Sequence, residues 1–289
     1  NAAPDSTVFP GPVWSFTVEP YAYAVDGANI SVMASSEHAA NVGPGNTIDG
    51  SGLNALDEHG TLGTDMWLSA ASPDGAWIQY EFDQALMLDE MWVWNSNQLV
   101  ESFIGFGFNA VLVESSLDGA TWTVLEDITQ FAQAPGAENY AANTIVDMGG
   151  VMAQFVRITA LSNYGTLTQF GLSEVRFYYA PIQAREPQPA SGATNAGPDL
   201  VLRWRGGREA AAHEVIFSSN RDEVIDGSAL VATVDENWYV PDTLSYGTYY
   251  YWAVNEISAD ATVAGELWSF STPEALVLDD FEAYNDDCN

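Results

Sequence analysis

Leu112-Val113-Glu114-Ser115-Ser116, then Leu117-Asp118-Gly119, then Thr121-Trp122-Thr123-Val124-Leu125: two short runs of alternating character, joined by an aspartate and a glycine, read as an antiparallel hairpin. Successive side chains of a strand point to opposite faces, so such alternation gives one dry face and one wet face. The Asp-Gly pair supplies the left-handed backbone that a tight turn needs. The same pattern recurs on both sides. Ala76 to Phe82, Met91 to Trp94, Phe155 to Thr159 and Glu174 to Tyr179 are strand-like runs bounded by Asp, Gly and Asn. No stretch has helical periodicity beyond a turn or two, so the fold class is all-β.

The 289 residues suffice for about two domains of ~100–200 residues each. A content of 47% hydrophobic and 12% aromatic residues provides packed cores. Forty Asp and Glu stand against seven cations, all arginine, for a formal charge of -33. Phosphate backbones and anionic lipid surfaces are bound by Lys/Arg clusters, which this chain lacks, so nucleic acid and anionic membrane are excluded as partners. A neutral glycan, a divalent cation or high salt suits such a surface; acidity for solubility alone is the alternative. The single cysteine, Cys288, cannot close an internal disulfide.

Gly11-Pro12-Val13-Trp14-Ser15-Phe16-Thr17 recurs as Gly265-Glu266-Leu267-Trp268-Ser269-Phe270-Ser271, which suggests one kind of strand used twice. On that reading residues 1–20 hold the last strand of a preceding domain with a linker, expected to pack on a neighbour. The proline- and glycine-containing stretch from Pro181 to Pro198 reads as an extended linker that can also supply the first strand of the next domain. The expected division is 1–20, 21–180, 181–273 and 274–289.

An ordered series of cues carries a family resemblance. Asn46-Thr47-Ile48-Asp49-Gly50 is followed by Met66-Trp67-Leu68-Ser69, Trp77 to Phe82, Val113 to Trp122, Phe155-Val156-Arg157-Ile158 and Leu172-Ser173-Glu174-Val175-Arg176-Phe177. In this order they resemble the discoidin family, the C domains of coagulation factors five and eight, which includes many galactose-type carbohydrate-binding modules. Residues 182 to 273 resemble a fibronectin type III domain, with Trp204 in an early strand and Leu244-Ser245-Tyr246-Gly247-Thr248-Tyr249-Tyr250 at the place of its tyrosine corner, Tyr250 pointing inward. The expected architecture is a discoidin-like jelly-roll β-sandwich followed by a fibronectin III-like β-sandwich. The composite resembles large bacterial surface or secreted proteins, and Asp279-Asp280-Phe281-Glu282 resembles the opening of a further module.

The discoidin resemblance implies a calcium ion, with Asp49 and Glu174 at the matching positions and Asn46, Ser51 and Thr64 as further donors. The segment from Leu53 to Gly63 is an insertion before Met66-Trp67, which puts the Thr64 donor in question. The resemblance also implies a glycan site in the loops at one end of the sandwich. Loops vary freely on a rigid scaffold, and sugars need an aromatic face with planar hydrogen-bonding groups. The candidates are Asn95, Asn97 and Phe106 after Trp94, Asn163 and Tyr164 after Leu161, and His59 in the insertion. Asp57-Glu58-His59 otherwise reads as a solvated loop. None of His38, His59 and His213 lies in a recognisable catalytic motif, and no catalytic residue is assigned.

Three functions follow. One is a non-catalytic carbohydrate-binding or adhesion module, calcium-stabilised, of a secreted or cell-surface protein, its partners a glycan or polysaccharide and other domains or copies of an assembly. The second is a structural spacer or self-assembling surface component. The third is a piece of a polysaccharide-degrading enzyme.

Overall fold

The computed structural model describes residues 11, 13–197, 199–259 and 261–275. The expected further module from Asp279 and the cysteine at 288 lie outside them. Of the described residues 8% are helix and 43% strand, as the alternating runs require. The first domain holds strands β1 (Tyr23–Ala24), β2 (Ile30–Ala34), β3 (Glu58–His59), β4 (Trp67–Leu68), β5 (Ala76–Asn95), β6 (Val111–Ser116), β7 (Thr123–Val124), β8 (Tyr140–Ala141), β9 (Thr144–Ala160) and β10 (Gly171–Ala180), with one helical turn, α1 (Glu101–Ile104), between β5 and β6.

Two long strands make the sandwich. β5 and β9 pair along both their halves, and the register breaks between Glu81 and Leu86 and again between Leu88 and Glu90. Such breaks bend a strand. Before the bend β5 pairs with β2, and the end of β9 pairs with β6; after it β5 pairs with β10. The two halves close over one core in which Tyr80 and Phe82 from the first half meet Phe177 of β10, ring centroids 5.0 and 5.1 Å apart. Outside the core, Glu90, Trp92 and Trp94 of β5 lie beside Tyr178, Arg176 and Glu174 of β10 on the outer face of the second half.

The β6–β7 hairpin forms, but not as a tight turn. Seven residues separate the last paired positions, Ser115 and Thr123 on the two strands, and only Gly119 takes a left-handed backbone, at φ 70°. Asp118 acts through its side chain: Oδ1 accepts from the amides of Ala120 and Thr121 at 2.8 and 2.7 Å.

The second domain comprises β11 (Arg185–Gln188), β12 (Leu202–Arg205), β13 (Ala212–Ser218), α2 (Arg221–Ile225), β14 (Leu230–Val234), β15 (Trp238–Tyr239), β16 (Tyr249–Ile257), β17 (Thr262–Val263) and β18 (Trp268–Ser271). Three strands (β11, β12, β15) and five strands (β13, β14, β16, β17, β18) form its two sheets. Trp204, Trp252, Val254, Trp268 and Phe270 fill the space between them. The hydroxyl of Tyr250 accepts from the amide of Ser245 at 3.0 Å, and its ring stacks on Phe217 and Phe270.

The two Trp-Ser-Phe copies part company. Trp268 and Phe270 are buried in β18, whereas Val13 to Val18 form no strand and Trp14 and Phe16 are 88% and 91% exposed. The packing expected of the first copy is not seen among the described residues. Identical residues form a strand only where a sheet edge is offered, as β16 offers to β18. What docks instead is the next stretch. The Glu19 carboxylate is gripped by Arg185, Arg205 and Arg208 of the second domain and accepts from the Tyr23 hydroxyl. Arg208 also donates to the carbonyls of Pro20 and Tyr21 at 2.6 and 3.1 Å. The Tyr23 hydroxyl, with Arg185 and Arg205, holds the Glu19 carboxyl down at about 2.

Candidate functional site

The loops that leave β5 and return to β10 build a shelf at one end of the first sandwich, braced from inside by amides. Asn95 is fully buried; its Nδ2 donates to the carbonyls of Phe108 and Ala132 and its Oδ1 accepts from the amides of Ser96 and Phe108, all within 3.0 Å. Asn97, equally buried, donates to the carbonyls of Gly60 and Ala137 and accepts from the amides of Gly136 and Ala137. Asn163 closes its own loop by donating to Leu167 and Gln169 and accepting from Gly165. An amide has two donors and one acceptor oxygen, so these side chains are committed to the backbone. The Tyr164 hydroxyl donates to the carbonyl of Phe131 at 2.5 Å, and Phe106 is 7% exposed. The structure gathers these residues in the loops at one end of the sandwich, as the sequence expects, and turns their side chains inward.

The insertion behaves differently from a solvated loop. Its strand β3 pairs with β8, His59 is fully buried, and His59 Nδ1 lies 2.9 Å from the Gly60 carbonyl. The Asp57 carbonyl accepts from Trp94 Nε1 at 3.1 Å. Residues 53–63 thus roof Trp94, and His59 does not face an outer ligand.

Of the glycine-spaced aromatics Phe103, Phe106 and Phe108 in the loop after Trp94, the one that faces outward is Phe103 rather than Phe106. Phe103 on α1 is 90% exposed, with Leu99 at 73% beside it in the chain. Its turn is pinned at both ends. Gly105 takes φ 66° as it caps α1, where a β-carbon would strike the backbone of Tyr164 and Gly165. The Glu101 carboxylate, buried, accepts from the Gly107 amide at 2.7 Å and the Ser96 hydroxyl at 3.1 Å. Burial raises Glu101 to about 7, against the pull of those donors. The glycine that follows the four residues Glu101-Ser102-Phe103-Ile104 is the signal in the sequence that marks this capped turn.

The calcium candidates divide. Gly45, Asn46, Ile48, Asp49, Gly50 and Glu174 line one cleft of about 710 Å³ on the outer sheet face. Glu174 is 2% exposed and its Oε2 has no hydrogen-bond partner. Burial, with the negative charge of Asp49 adding to it, lifts Glu174 to about 8 despite Arg176 nearby and a bond from the Gly50 amide. A buried carboxylate oxygen without a partner, a second carboxylate and a loop of carbonyls fit a hard divalent cation that takes oxygen ligands. Among the described residues no group of three or more His, Cys, Asp and Glu could hold a metal, so a cation here would take the rest of its shell from loop carbonyls. Ser51 and Thr64 do not line the cleft; Ser51 Oγ points to the Asp65 carbonyl and Thr64 Oγ1 to the Asp65 carboxylate. The Asn46 amide holds the Thr64 and Met66 carbonyls at 2.8 and 3.0 Å.

Residues 31–174 match the family described as the F5/8 type C domain. No curated protein matches the sequence. Among solved structures, CBM32-3 from a family 31 glycoside hydrolase of Clostridium perfringens is 22% identical, with 54% of this chain and 94% of that chain covered and a TM-score of 0.40. A family 32 carbohydrate-binding module of the same organism, in complex with galactose, is 13% identical over 54% and 98%, TM-score 0.40. An F5/8 type C domain of a Bacteroides fragilis protein is 19% identical over 56% and 98%, TM-score 0.41.

Proposed function

We propose that the F5/8 type C domain at residues 31–174 is a carbohydrate-binding module that takes its glycan on the loop shelf, in an extracellular multidomain protein. The observation that carries this reading is Phe103, an almost fully exposed ring on a turn fixed by Gly105 and Glu101. A ring presented on a fixed backbone turn offers a flat face to sugar C–H groups without any reordering of the loop. Asn95, Asn97 and Asn163 serve by positioning the loops. His38 and Gln169, whose side chains meet at 3.3 Å in an exposed position, supply polar contacts in the same loop cluster.

Calcium belongs to this reading as a stabiliser, with Asp49, Glu174 and carbonyls of the Gly45–Gly50 loop as its ligands. It would neutralise the buried Glu174 and fix the loop that carries Asp49. The second domain, with its two sheets and the Tyr250 hydroxyl tied to Ser245, is read as a fibronectin III-like spacer. Among the described residues no helix is long and apolar enough to cross a membrane.

A glycan array probed with the whole chain, once with calcium and once with chelator, tests the reading. Binding to a defined neutral glycan that falls at least about tenfold, ~1.4 kcal/mol, in Phe103→Ala is expected. Absence of any hit in both buffers would leave the spacer function in its place.

A further inference from the structure

The outer face of the second sheet half presents a different surface, away from Phe103. Directly opposed residues of an antiparallel pair share a face. The register sets Arg176, Trp92 and Ile145 in one row, and Tyr178, Glu90 and Asp147 in the next. Rows two residues apart stand roughly 7 Å apart along the strand. Trp92 and Tyr178 are half-buried, with ring centroids 4.9 Å apart and planes inclined by 42°. Ile145 is 56% exposed. An apolar strip thus surfaces in the middle of a strongly acidic molecule.

The strip is held rigid. Trp92 Nε1 donates to Glu90 Oε2 at 2.8 Å. Arg176 pairs with Asp57 at 2.8 Å, and its guanidinium lies 5.4 Å from the centre of the Trp94 ring. Because Asp57 belongs to the insertion, residues 53–63 wall the strip at the shelf end. Side chains already fixed lose little freedom when a ligand settles on them.

We propose that this face is a second binding surface, and that its ligand is an extended neutral polysaccharide. Glu90 and Asp57 only accept hydrogen bonds and Arg176 only donates them. Hydroxyl groups do both, so a sugar chain finds partners on either side of the rings while its C–H faces cover Trp92 and Tyr178. A polyanion meets the repulsion of a net charge of -33. Arg176 is neutralised by Asp57, and Glu90 and Asp147 share the face, so a polycation is the competing occupant that a polylysine control decides. The surface uses none of the shelf residues, so it stands or falls separately from the function proposed above.

Affinity electrophoresis of the whole chain tests it, in gels containing galactan, galactomannan, xyloglucan or mixed-linkage β-glucan, with alginate and a polylysine peptide as charged controls. Retardation by at least one neutral polymer is expected, weakened at least fivefold by Tyr178→Ala. It should weaken as much in Ile145→Lys, which replaces an exposed side chain and leaves the core untouched. Phe103→Ala and chelator should leave it in place. No retardation in any neutral gel, or retardation that survives both Tyr178→Ala and Ile145→Lys, overturns the inference. So does retardation that only Phe103→Ala removes, an outcome that would keep the shelf function and silence the face. Capture by polylysine alone overturns it in favour of a cationic partner. A blank oligosaccharide array together with Ile145→Lys-sensitive retardation would do the reverse, removing the shelf function and keeping the face.

Discussion

Asp57 Oδ1 lies 2.8 Å from Nη1 of Arg176, joining the inserted segment to the outer sheet face. The pair is partly solvated, with the two side chains 51% and 27% exposed, and pairs of that kind contribute about 0–1 kcal/mol. Asp57 also holds a left-handed backbone, φ 58°, which aspartate and asparagine tolerate and β-branched residues do not. Asp57→Asn should therefore lower stability by less than about 1 kcal/mol, and Asp57→Val by about 1–3 kcal/mol through backbone strain. Urea titrations of the two variants, compared at equal slope, decide between these outcomes.

Asn97→Ala should behave as a packing variant. It removes a fully buried amide that ties the Gly60 and Ala137 carbonyls and the Gly136 amide together, and losing such a set of hydrogen bonds costs about 1–3 kcal/mol. Phe103→Ala, at an exposed position, should stay within about 0.5 kcal/mol of the parent. Thermal melts of the two side by side would show the opposite ranking if Asn97 were a surface contact.

The strands, their inward and outward faces and the second-domain core residues are readable from the sequence because alternation is local. The role of the asparagines is not. An amide that binds a sugar and an amide that ties two loops together look the same in the chain, and only Gly60 arriving from the insertion and Gly136 from a distant loop reveal Asn97 as a tie. Trp14-Ser15-Phe16 illustrates a related point: a strand motif states what a residue run can pair with, and pairing needs an edge supplied from elsewhere. Phe103, Phe106 and Phe108 are equivalent in the sequence, and only the fold, with the turn capped at Gly105, leaves Phe103 outside and buries the other two.

Two buried carboxyls, Glu174 in the cleft and Glu101 in the shelf turn, set a pH dependence with a definite sign. Glu174 is raised to about 8 and Glu101 to about 7, both above the ordinary glutamate value. A folded state that favours the protonated form is most favoured below the unfolded value near ~4.3, and loses that contribution as pH rises through 7 and 8. In chelator the melting temperature should fall between pH 5 and 8. Glu174→Gln should flatten the fall, since the amide carries no charge to bury. Calcium should raise the parent's melting temperature more at pH 8 than at pH 5, and a calcium effect that is equal at both values would argue against Glu174 as a ligand.

Glu19 titrates in the opposite sense. Its carboxyl is held down at about 2, so the link to Arg185, Arg205 and Arg208 is complete above the ordinary glutamate range and is lost only as pH falls toward 2. Glu19→Ala should loosen the two domains at neutral pH, seen in small-angle scattering as a longer maximum dimension, while the melting of each domain is unchanged. Scattering curves that superpose would show that the arginine cluster does not hold the domains.

The chain enters the first sandwich at β1 and leaves it at the end of β10, and these two segments are paired, Tyr23 with Tyr179 and Ala24 with Tyr178. Tension applied along the polypeptide is therefore taken up by that short antiparallel clasp and by Glu19 on its arginines, at one pole of the domain. The shelf begins at the opposite end of β10, roughly 30 Å away. A pull transmitted through neighbouring domains would peel the clasp before it reached Phe103, and a ligand gripped by the loops would feel the load last.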